Sequence, residues 1–466
     1  MADTMLTRGE PDEASRIHGP TALEIVDMDS MLRSAQAVLA RGERDEASRI
    51  YKKMMAADQP PRIRAAALRG LTCAGSGAAR LTYIDLLKTK DPAILQMIGA
   101  MMADMPGPEA TKAFAAALPA LGPEAQAGVL AGLAGRGDKE ALPAIRKAAD
   151  SDEPSVQRAA IRAMGSLGDA GNIVPLAALA AREGDVGSAA VASLNRISGP
   201  GVNEAMMKAA GEGKAPERVK LIGVLASRGD RAAAPAITTW LKDSDASVRT
   251  AACKALGVLG GAEALPLLVE RAVAAEGAPE RTAAAQALAI VAKGVQDESA
   301  RTGPIIAALA KAPAAARVEL VGVLGRLGGP AALAAVRGQL GGEAAARKAA
   351  VRALADWPDA AALADVQALA RTETDEGNRT LALRGYVGQA AAAGQGAPAT
   401  ATMLEEAMKL ARQPDEKKAV LAILPKFACP EALKLAESAA TDPAVAAEAK
   451  VAAEKIRKLD KPAPGK

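Results

Sequence analysis

Aromatic side chains are scarce in this sequence, which has two Trp, three Tyr and two Phe among 466 residues. A chain of this length cannot form one ordinary globular core, and without aromatic rings its interior must be built from Ala, Leu, Val, Ile and Met. Such small side chains suit closely packed helices. A surface that stacks nucleic-acid bases on aromatic rings is disfavoured for the same reason.

Histidine and cysteine are almost as rare, and their scarcity removes most enzyme chemistry. The only histidine is His18, and the cysteines Cys73, Cys253 and Cys429 lie far apart. One imidazole cannot form a typical zinc or di-iron site or a Ser-His-Asp arrangement, and three distant thiols argue against disulfides and thiolate metal sites. No phosphate-loop Lys follows a Gly-rich stretch. We therefore predict no metal, no cofactor and no catalytic activity.

Long apolar runs and a dominant charge are also missing. No stretch of eighteen apolar residues occurs, and the first ten residues contain no apolar signal segment. These features predict a cytoplasmic protein without a membrane span. The formal net charge of +4 is small for the length, so nothing in it requires a nucleic-acid partner.

What the sequence does contain is a repeat about 31 residues long. In most copies a polar or basic residue is followed seven positions later by a large, usually aliphatic residue, which we call the anchor. Two apolar residues usually precede the anchor by three and four positions. Leu95 and Gly187 stand where the polar or basic residue is expected in the copies of Met102 and Leu194. The twelve anchors are Leu71, Met102, Leu133, Met164, Leu194, Leu225, Leu256, Leu288, Leu324, Leu354, Tyr386 and Leu424. Successive spacings are 31, 31, 31, 30, 31, 31, 32, 36, 30, 32 and 38 residues. This period is typical of stacked two-helix units, and it predicts an all-α fold.

Local signals divide each unit into two helices. Apolar residues three and four positions before the anchor define one face of the second helix. Gly-Asp pairs such as 168–169 and 229–230 predict a left-handed stop followed by a cap for the next helix. Pro143, Pro175, Pro235 and Pro266 fall inside the helices that follow, where we expect them to cause bends. The two long spacings predict loops around residues 293–301 and 391–400.

The repeat resembles the HEAT-repeat family, including its short bacterial, lyase-type form. The best single match is residues 241–257, LKDSDASVRTAACKALG, and the resemblance covers residues 58 to about 440. It implies an α-α superhelix of about twelve helical hairpins, stacked in a right-handed curved array. The period indicates the fold, whereas functions within the family are varied.

The ends of the chain lie outside this pattern. Residues 8–17 recur at 41–50 with nine of ten positions identical. We predict a loose segment at 1–20, a capping helical hairpin at 21–57, the solenoid at 58–457 and a disordered tail at 458–466.

Two columns of basic residues are candidate binding features. The first stands seven residues before the anchors: Arg64, Arg218, Arg249, Arg281, Arg317, Arg347, Arg379 and Lys417. It is either an anion-binding stripe or, as the resemblance implies, a set of structural ties to acids six residues earlier, as in Asp58–Arg64, Asp243–Arg249 and Glu373–Arg379. We favour the structural interpretation because buried guanidinium groups need fixed partners.

The second column stands two and six residues before the anchors, on the outward face of the second helix, which usually lines the concave side in the family. Its members are Arg69, Arg158, Arg162, Lys254, Lys348, Arg352, Arg384 and Lys418, without one acid. This face is either an ordinary solvated surface or a binding surface for an acidic partner.

These features predict a non-catalytic binding or assembly scaffold that offers a long helical surface to a macromolecule, most simply a protein, which could present an acidic surface. A nucleic-acid-binding protein with a basic concave face is the alternative hypothesis. A lyase-type enzyme, or its accessory subunit, is the second alternative.

Overall fold

The computed structural model describes residues 22–56, 58–74, 83–88, 92–102, 105 and 107–459, and the regular structure in these ranges is entirely helical. The all-α prediction is therefore confirmed. The chain divides after Arg228 into two compact units. The predictions for residues 1–20, including His18 and the first copy of the duplicated segment, and for residues 460–466 lie outside the described residues.

Among the described residues, the first unit contains twelve long or medium α-helices besides a helical turn at 83–86. They are α1 Ala22–Ala40, α2 Arg44–Lys53, α3 Pro61–Ala74, α4 Pro92–Met102, α5 Pro108–Ala117, α6 Pro123–Arg136, α7 Leu142–Ala148, α8 Pro154–Leu167, α9 Ile173–Ala180, α10 Gly184–Arg196, α11 Val202–Glu212 and α12 Ala215–Ser227.

The second unit continues the alternation. Its helices are α13 Ala234–Thr239, α14 Ala246–Leu259, α15 Leu265–Ala274, α16 Ala278–Lys293, α17 Glu298–Leu309, α18 Ala314–Leu327, α19 Pro330–Arg337, α20 Ala344–Ala355, α21 Leu363–Thr372, α22 Glu376–Ala392, α23 Ala397–Leu410, α24 Pro414–Ile423, α25 Pro430–Ala439 and α26 Ala446–Leu459.

Each unit is built as two layers of helices. We call α3 and the even-numbered helices from α4 onward the B helices, and the odd-numbered helices from α5 onward the A helices. Within each unit every B helix packs against the next B helix, and every A helix packs against the B helix that follows it. The anchors lie between the layers, and all twelve are at most 1% exposed.

The anchor series continues one step further than the sequence pattern indicated. Ile456 follows Leu424 by 32 residues and is fully buried where α25 packs on α26. Its helix has Ala449 in place of the base seven residues before the anchor, which is why the pattern missed it. The last two described helices therefore form a complete pair.

The predicted proline bends are wrong, because these prolines lie in the first turn of their helices. A 3₁₀ turn precedes the α-helix at Lys139–Ala141, Ala170–Asn172, Arg231–Ala233, Ala262–Ala264 and Ala360–Ala362. Pro143, Pro235 and Pro266 each occupy one of the first two positions after such a turn. An amide donor is not required there, so the helix starts without distortion. Further 3₁₀ turns lie at Leu118–Ala120, Trp240–Lys242, Gly338–Gly341 and Leu424–Phe427.

The glycines of the two Gly-Asp pairs are required for different reasons, one for its backbone conformation and one for a close approach. Gly229 has φ +69°, the predicted left-handed conformation. Gly168 has φ −64°, but a Cβ there would lie 2.1 Å from the carbonyl oxygen of Met164, so the close approach requires glycine. Asp169 and Asp230 accept hydrogen bonds from main-chain amides two residues later, which confirms their predicted capping role.

The extra residues of the two long spacings lengthen helices instead of forming long loops. Only residues 294–297 separate α16 from α17, and only 393–396 separate α22 from α23. Helices α16 and α22 have 16 and 17 residues, against 14 in α14 and α18. The loops predicted around 293–301 and 391–400 are therefore mostly helical.

Candidate functional site

Grooves open between successive B helices, and the outward basic column lies along them. The groove between α6 and α8 has a volume of about 600 Å³ and is lined by Arg158 and Arg162. The groove between α18 and α20 has a volume of about 620 Å³ and is lined by Lys348 and Arg352. A smaller groove of about 330 Å³ between α24 and α26 contains Lys418.

Small residues lie where the B helices approach one another closely, and two of them, Gly325 and Ala353, line the groove between α18 and α20. A Cβ on Gly325 of α18 would lie 2.6 Å from the Cβ of Ala353 in α20. At Gly165 of α8 a Cβ would lie 2.6 Å from the Cβ of Ser193 in α10, whose hydroxyl donates to the carbonyl oxygen of Ile161 at 2.8 Å. Neighbouring backbones therefore nearly touch, and only longer side chains at the rims project outward.

Three members of the basic column have carboxylate partners. Arg384 Nη2 lies 3.4 Å from Asp356 Oδ1, and Lys418 Nζ lies 3.1 Å from Glu448 Oε1. Arg158 Nη1 lies 3.8 Å from Asp185 Oδ2, beyond hydrogen-bonding distance. Such exposed pairs contribute little to stability.

The other five have no carboxylate partner among the residues described in the structure, and all five are exposed. They are Arg69, Arg162, Lys254, Lys348 and Arg352. The structure brings Lys348 and Arg352 together, one helical turn apart, with Arg384 on the next B helix reaching Asp356 at the rim of the same groove. Arg69 and Lys254 lie on α3 and α14, outside the three grooves.

The predicted column leaves out one base of the groove between α18 and α20. Arg326 stands two residues after the anchor Leu324 and lines the groove between α18 and α20 opposite Lys348. Arg326 lies one helical turn after the position two residues before the anchor, and this register was the signal in the sequence that could have placed it on the same helix face. Asp356 is the one acidic residue lining this groove.

The bases that stand seven residues before the anchors, which we call the core-facing column, have the structural role favoured above. Arg249 donates to both carboxylate oxygens of Glu280 at 2.8 Å, and Arg271 Nε lies 2.8 Å from Glu280 Oε1. Glu280 is 2% exposed. The hydrogen bonds between Arg249 and Glu280 raise the pKa of Arg249. Burial of the Cys253 thiol, together with the nearby charge of Glu280, raises the pKa of Cys253 to about 12. These charges satisfy one another inside the unit and are not available to a ligand.

The acid of each pair comes from the following repeat. The ion pairs Arg249–Glu280, Arg347–Glu373, Arg379–Glu416 and Lys417–Asp442 join residues 31, 26, 37 and 25 positions apart. The predicted pairing of Glu373 with Arg379 is therefore wrong. Arg218, Arg281 and Arg317 instead donate to main-chain carbonyls of their own repeat.

Arg379 is the most buried charge of this column, with a fully buried side chain. It donates to Glu376 at 2.7 Å, to Glu416 at 2.5 Å and to the carbonyl oxygen of Leu410 at 3.3 Å. Glu416 also accepts from Thr380 at 2.6 Å. The hydrogen bonds that Arg379 donates to Glu376 outweigh burial and raise the pKa of Arg379.

A third set of polar side chains was not anticipated and ties successive B helices together. Arg136, three residues after an anchor, donates to the carbonyl oxygens of Met102, Met105 and Gly107 at 2.6, 2.6 and 2.9 Å. At the equivalent position Arg228 donates to the carbonyls of Leu194, Asn195 and Ile197, and Gln389 to that of Leu354. These donors satisfy carbonyls that a helix terminus leaves open.

Within the described ranges, no three His, Cys, Asp or Glu side chains come together as metal ligands would. No helix of the same ranges is both long and apolar enough to cross a membrane.

Comparison with known proteins identifies the repeat. A family model described as HEAT repeats matches residues 120–195 and 203–289. No curated protein matches the chain.

Among solved structures, Kap121p bound to the SUMO protease Ulp1p has a TM-score of 0.52 at 12% identity, covering 88% of this chain and 53% of that one. Kap121p alone has a TM-score of 0.51 at 12% identity, covering 90% and 53%. Kap95p, in a structure concerned with RanGDP, has a TM-score of 0.48 at 13% identity, covering 95% of this chain and 64% of that one. The chain thus spans about half the length of Kap121p, and at this identity the Kap121p likeness shows the fold alone. The buried anchors and the family model agree that residues 120–195 and 203–289 are built from HEAT repeats.

Proposed function

We propose that this protein is a non-catalytic scaffold whose B-helix layers bind a partner protein with an acidic surface. The observation that carries the proposal is the groove between α18 and α20, lined by Arg326, Lys348 and Arg352. None of these three bases has a carboxylate partner among the residues that the structure describes. Exposed cations concentrated in a groove attract an acidic partner and orient its approach.

The contrast between the two basic columns supports this proposal. Bases that face the core are neutralised by acids or carbonyls of the protein, whereas most of the outward bases are not. The fold is also compatible with protein binding, since Kap121p, which shares it, has been solved with Ulp1p and with Ste12p. A cytoplasmic location remains part of the proposal.

The nucleic-acid alternative has weaker support. The groove offers cations for phosphates, but the residues lining it include no aromatic side chain on which a base could stack. Binding of DNA would therefore depend on charge alone and would fall steeply with salt.

A charge-reversal experiment tests the proposal. The double variant Lys348→Glu, Arg352→Glu reverses two groove charges, and the matched control Lys311→Glu, Lys409→Glu reverses two charges at the ends of A helices. The probes are poly-glutamate and a DNA duplex, each titrated from about 50 to about 300 mM salt. Because exposed charge pairs are worth up to about 1 kcal/mol each, we expect the groove variant to weaken poly-glutamate binding about tenfold.

The control variant is expected to bind poly-glutamate with an affinity within about twofold of the wild-type affinity, a difference in binding free energy below ~0.5 kcal/mol. Equal weakening in both variants, or no binding of poly-glutamate at all, would contradict the proposed surface. Tighter binding of the duplex, lost in the groove variant, would replace the protein partner with nucleic acid.

A further inference from the structure

Two exposed apolar side chains, which we call the patch, lie at equivalent positions on neighbouring B helices of the second unit. Val258 and Ile290 stand two residues after their anchors on α14 and α16, which pack against each other, and they are 64% and 58% exposed. Ile290 leans toward α14, since a Cβ on Gly257 would lie 3.7 Å from its Cδ1. Single exposed aliphatic residues are ordinary, whereas two on neighbouring helices increase the apolar area that a partner could cover.

The other large exposed apolar side chains of the described residues do not form such a pair. Val174 lies on an A helix, Val451 lines the small groove between α24 and α26, and Leu459 ends α26. Val258 and Ile290 instead lie on two helices that pack together, and both are exposed on the layer that contains the grooves.

Bases lie on two sides of the patch. Lys254 precedes Val258 by one helical turn and lies on the same face, and Gln286 precedes Ile290 in the same way. The next B helix presents Arg326 at the position equivalent to Val258 and Ile290, at the edge of the groove that contains Lys348 and Arg352. An occupant of the patch therefore meets positive charge on both sides.

We infer that the second unit binds a peptide segment of its partner that carries aliphatic side chains followed or preceded by acidic ones. The aliphatic groups cover Val258 and Ile290, and the acidic groups enter the groove between α18 and α20. This inference rests on the proposed function and specifies the partner's chemistry. Apolar contact adds affinity that charge alone does not provide, and charge complementarity excludes basic segments.

The spacing of the two subsites follows from the helix packing. Adjacent packed helices lie about 9 Å apart, so the patch between α14 and α16 and the groove between α18 and α20 are about 18 Å apart. An extended chain spans that distance in about six residues. The predicted recognition element is therefore a pair of aliphatic residues separated from an acidic cluster by about six positions.

Synthetic peptides provide the probe. One peptide carries two leucines and, about six residues further along, a run of glutamates. A second has serines in place of the leucines, and a third has lysines in place of the glutamates. Binding is measured by fluorescence anisotropy with the wild type, with Val258→Ser, Ile290→Ser, with Lys348→Glu, Arg352→Glu, and with Val174→Ser as an exposed-valine control on an A helix.

We expect the wild type to bind the leucine-glutamate peptide about tenfold more tightly than the serine-glutamate peptide and to show no binding of the lysine peptide. That tenfold preference is expected to disappear in Val258→Ser, Ile290→Ser and to persist in Val174→Ser. If both glutamate peptides bind equally to the wild type and only the charge-reversal variant weakens them, the apolar subsite is wrong while the proposed function stands. If neither the patch variant nor the charge-reversal variant changes binding, both the apolar subsite and the proposed function are wrong.

A second copy of the chain is the competing occupant of the patch. Sedimentation velocity distinguishes it, since a dimer that dissociates in Val258→Ser, Ile290→Ser but not in Val174→Ser would overturn the peptide assignment. A monomer in all three proteins, together with the leucine preference, supports it.

Discussion

The same substitution at two glycines of one helix is predicted to have opposite effects on stability. Gly385 and Gly388 both lie inside α22. A Cβ on Gly385 would lie 2.5 Å from Cα, 2.7 Å from Cβ and 2.8 Å from the carbonyl oxygen of Ala355 in α20, whereas a Cβ on Gly388 meets nothing within 4 Å. Alanine at Gly385 must therefore push two helices apart, and alanine at Gly388 enters open space.

The magnitudes follow from two opposing contributions. Overpacking costs about 1–3 kcal/mol, and the upper part of that range applies where the contacted atoms belong to a neighbouring backbone. Alanine in place of glycine in a helix interior gains about 1 kcal/mol. We expect Gly385→Ala to destabilise the protein by about 1–2 kcal/mol and Gly388→Ala to stabilise it by about 0.5–1 kcal/mol.

Urea unfolding followed by far-ultraviolet circular dichroism is the first assay, with hydrogen exchange of the α22 amides as a local measurement. The local measurement is needed because long repeat arrays do not always unfold in one step. The unfolding midpoints and the α22 exchange rates should shift in opposite directions for the two variants. Equal stabilisation by both would refute the close approach of α20 and α22.

Three further predictions concern buried charge and thiols. Arg379→Met should destabilise the protein by about 2–4 kcal/mol in thermal unfolding, because it leaves Glu416 buried without its cation, and an unchanged melting temperature would contradict the network. Burial alone would raise the pKa of Glu416, but hydrogen bonds led by that of Thr380 hold the pKa below its usual value. Its stabilisation is therefore complete above the unfolded pKa near ~4.3 and is lost as pH falls through the folded pKa, so acid unfolding should be weaker in Glu416→Gln than in the wild type. At about pH 8 iodoacetamide should label the exposed Cys73 but not the buried Cys253, whose pKa is about 12, and mass spectrometry showing equal labelling would contradict the buried position of Cys253.

The fold was predictable because its information is local. An anchor such as Leu256, with apolar residues three and four positions earlier, specifies a helix face within one turn, and the regular period then implies stacking. The outward basic column followed from the same register, so helical periodicity alone is enough to place Lys348 and Arg352 on one helix face.

What the sequence could not reveal depends on contacts between repeats. The partner of Arg347 is Glu373, in the next repeat, and no rule of local spacing connects them. Likewise Pro235 looks like an interior proline until the preceding residues are known to form a 3₁₀ turn. The apolar pair of Val258 and Ile290 was hidden because each is an unremarkable aliphatic residue in its own helix.

The side-chain donors Arg136, Arg228 and Gln389 all bond to the preceding repeat, so these contacts run in one direction along the chain. Each bonds carbonyls of residues that precede it by 34, 34 and 35 positions, never of residues that follow. During synthesis the carboxyl end of each such helix therefore stays hydrated until the next repeat has left the ribosome. At these three positions the nascent chain completes its hydrogen bonds one repeat behind the point of elongation, and a chain truncated just before such a donor leaves the carboxyl end of the preceding helix hydrated.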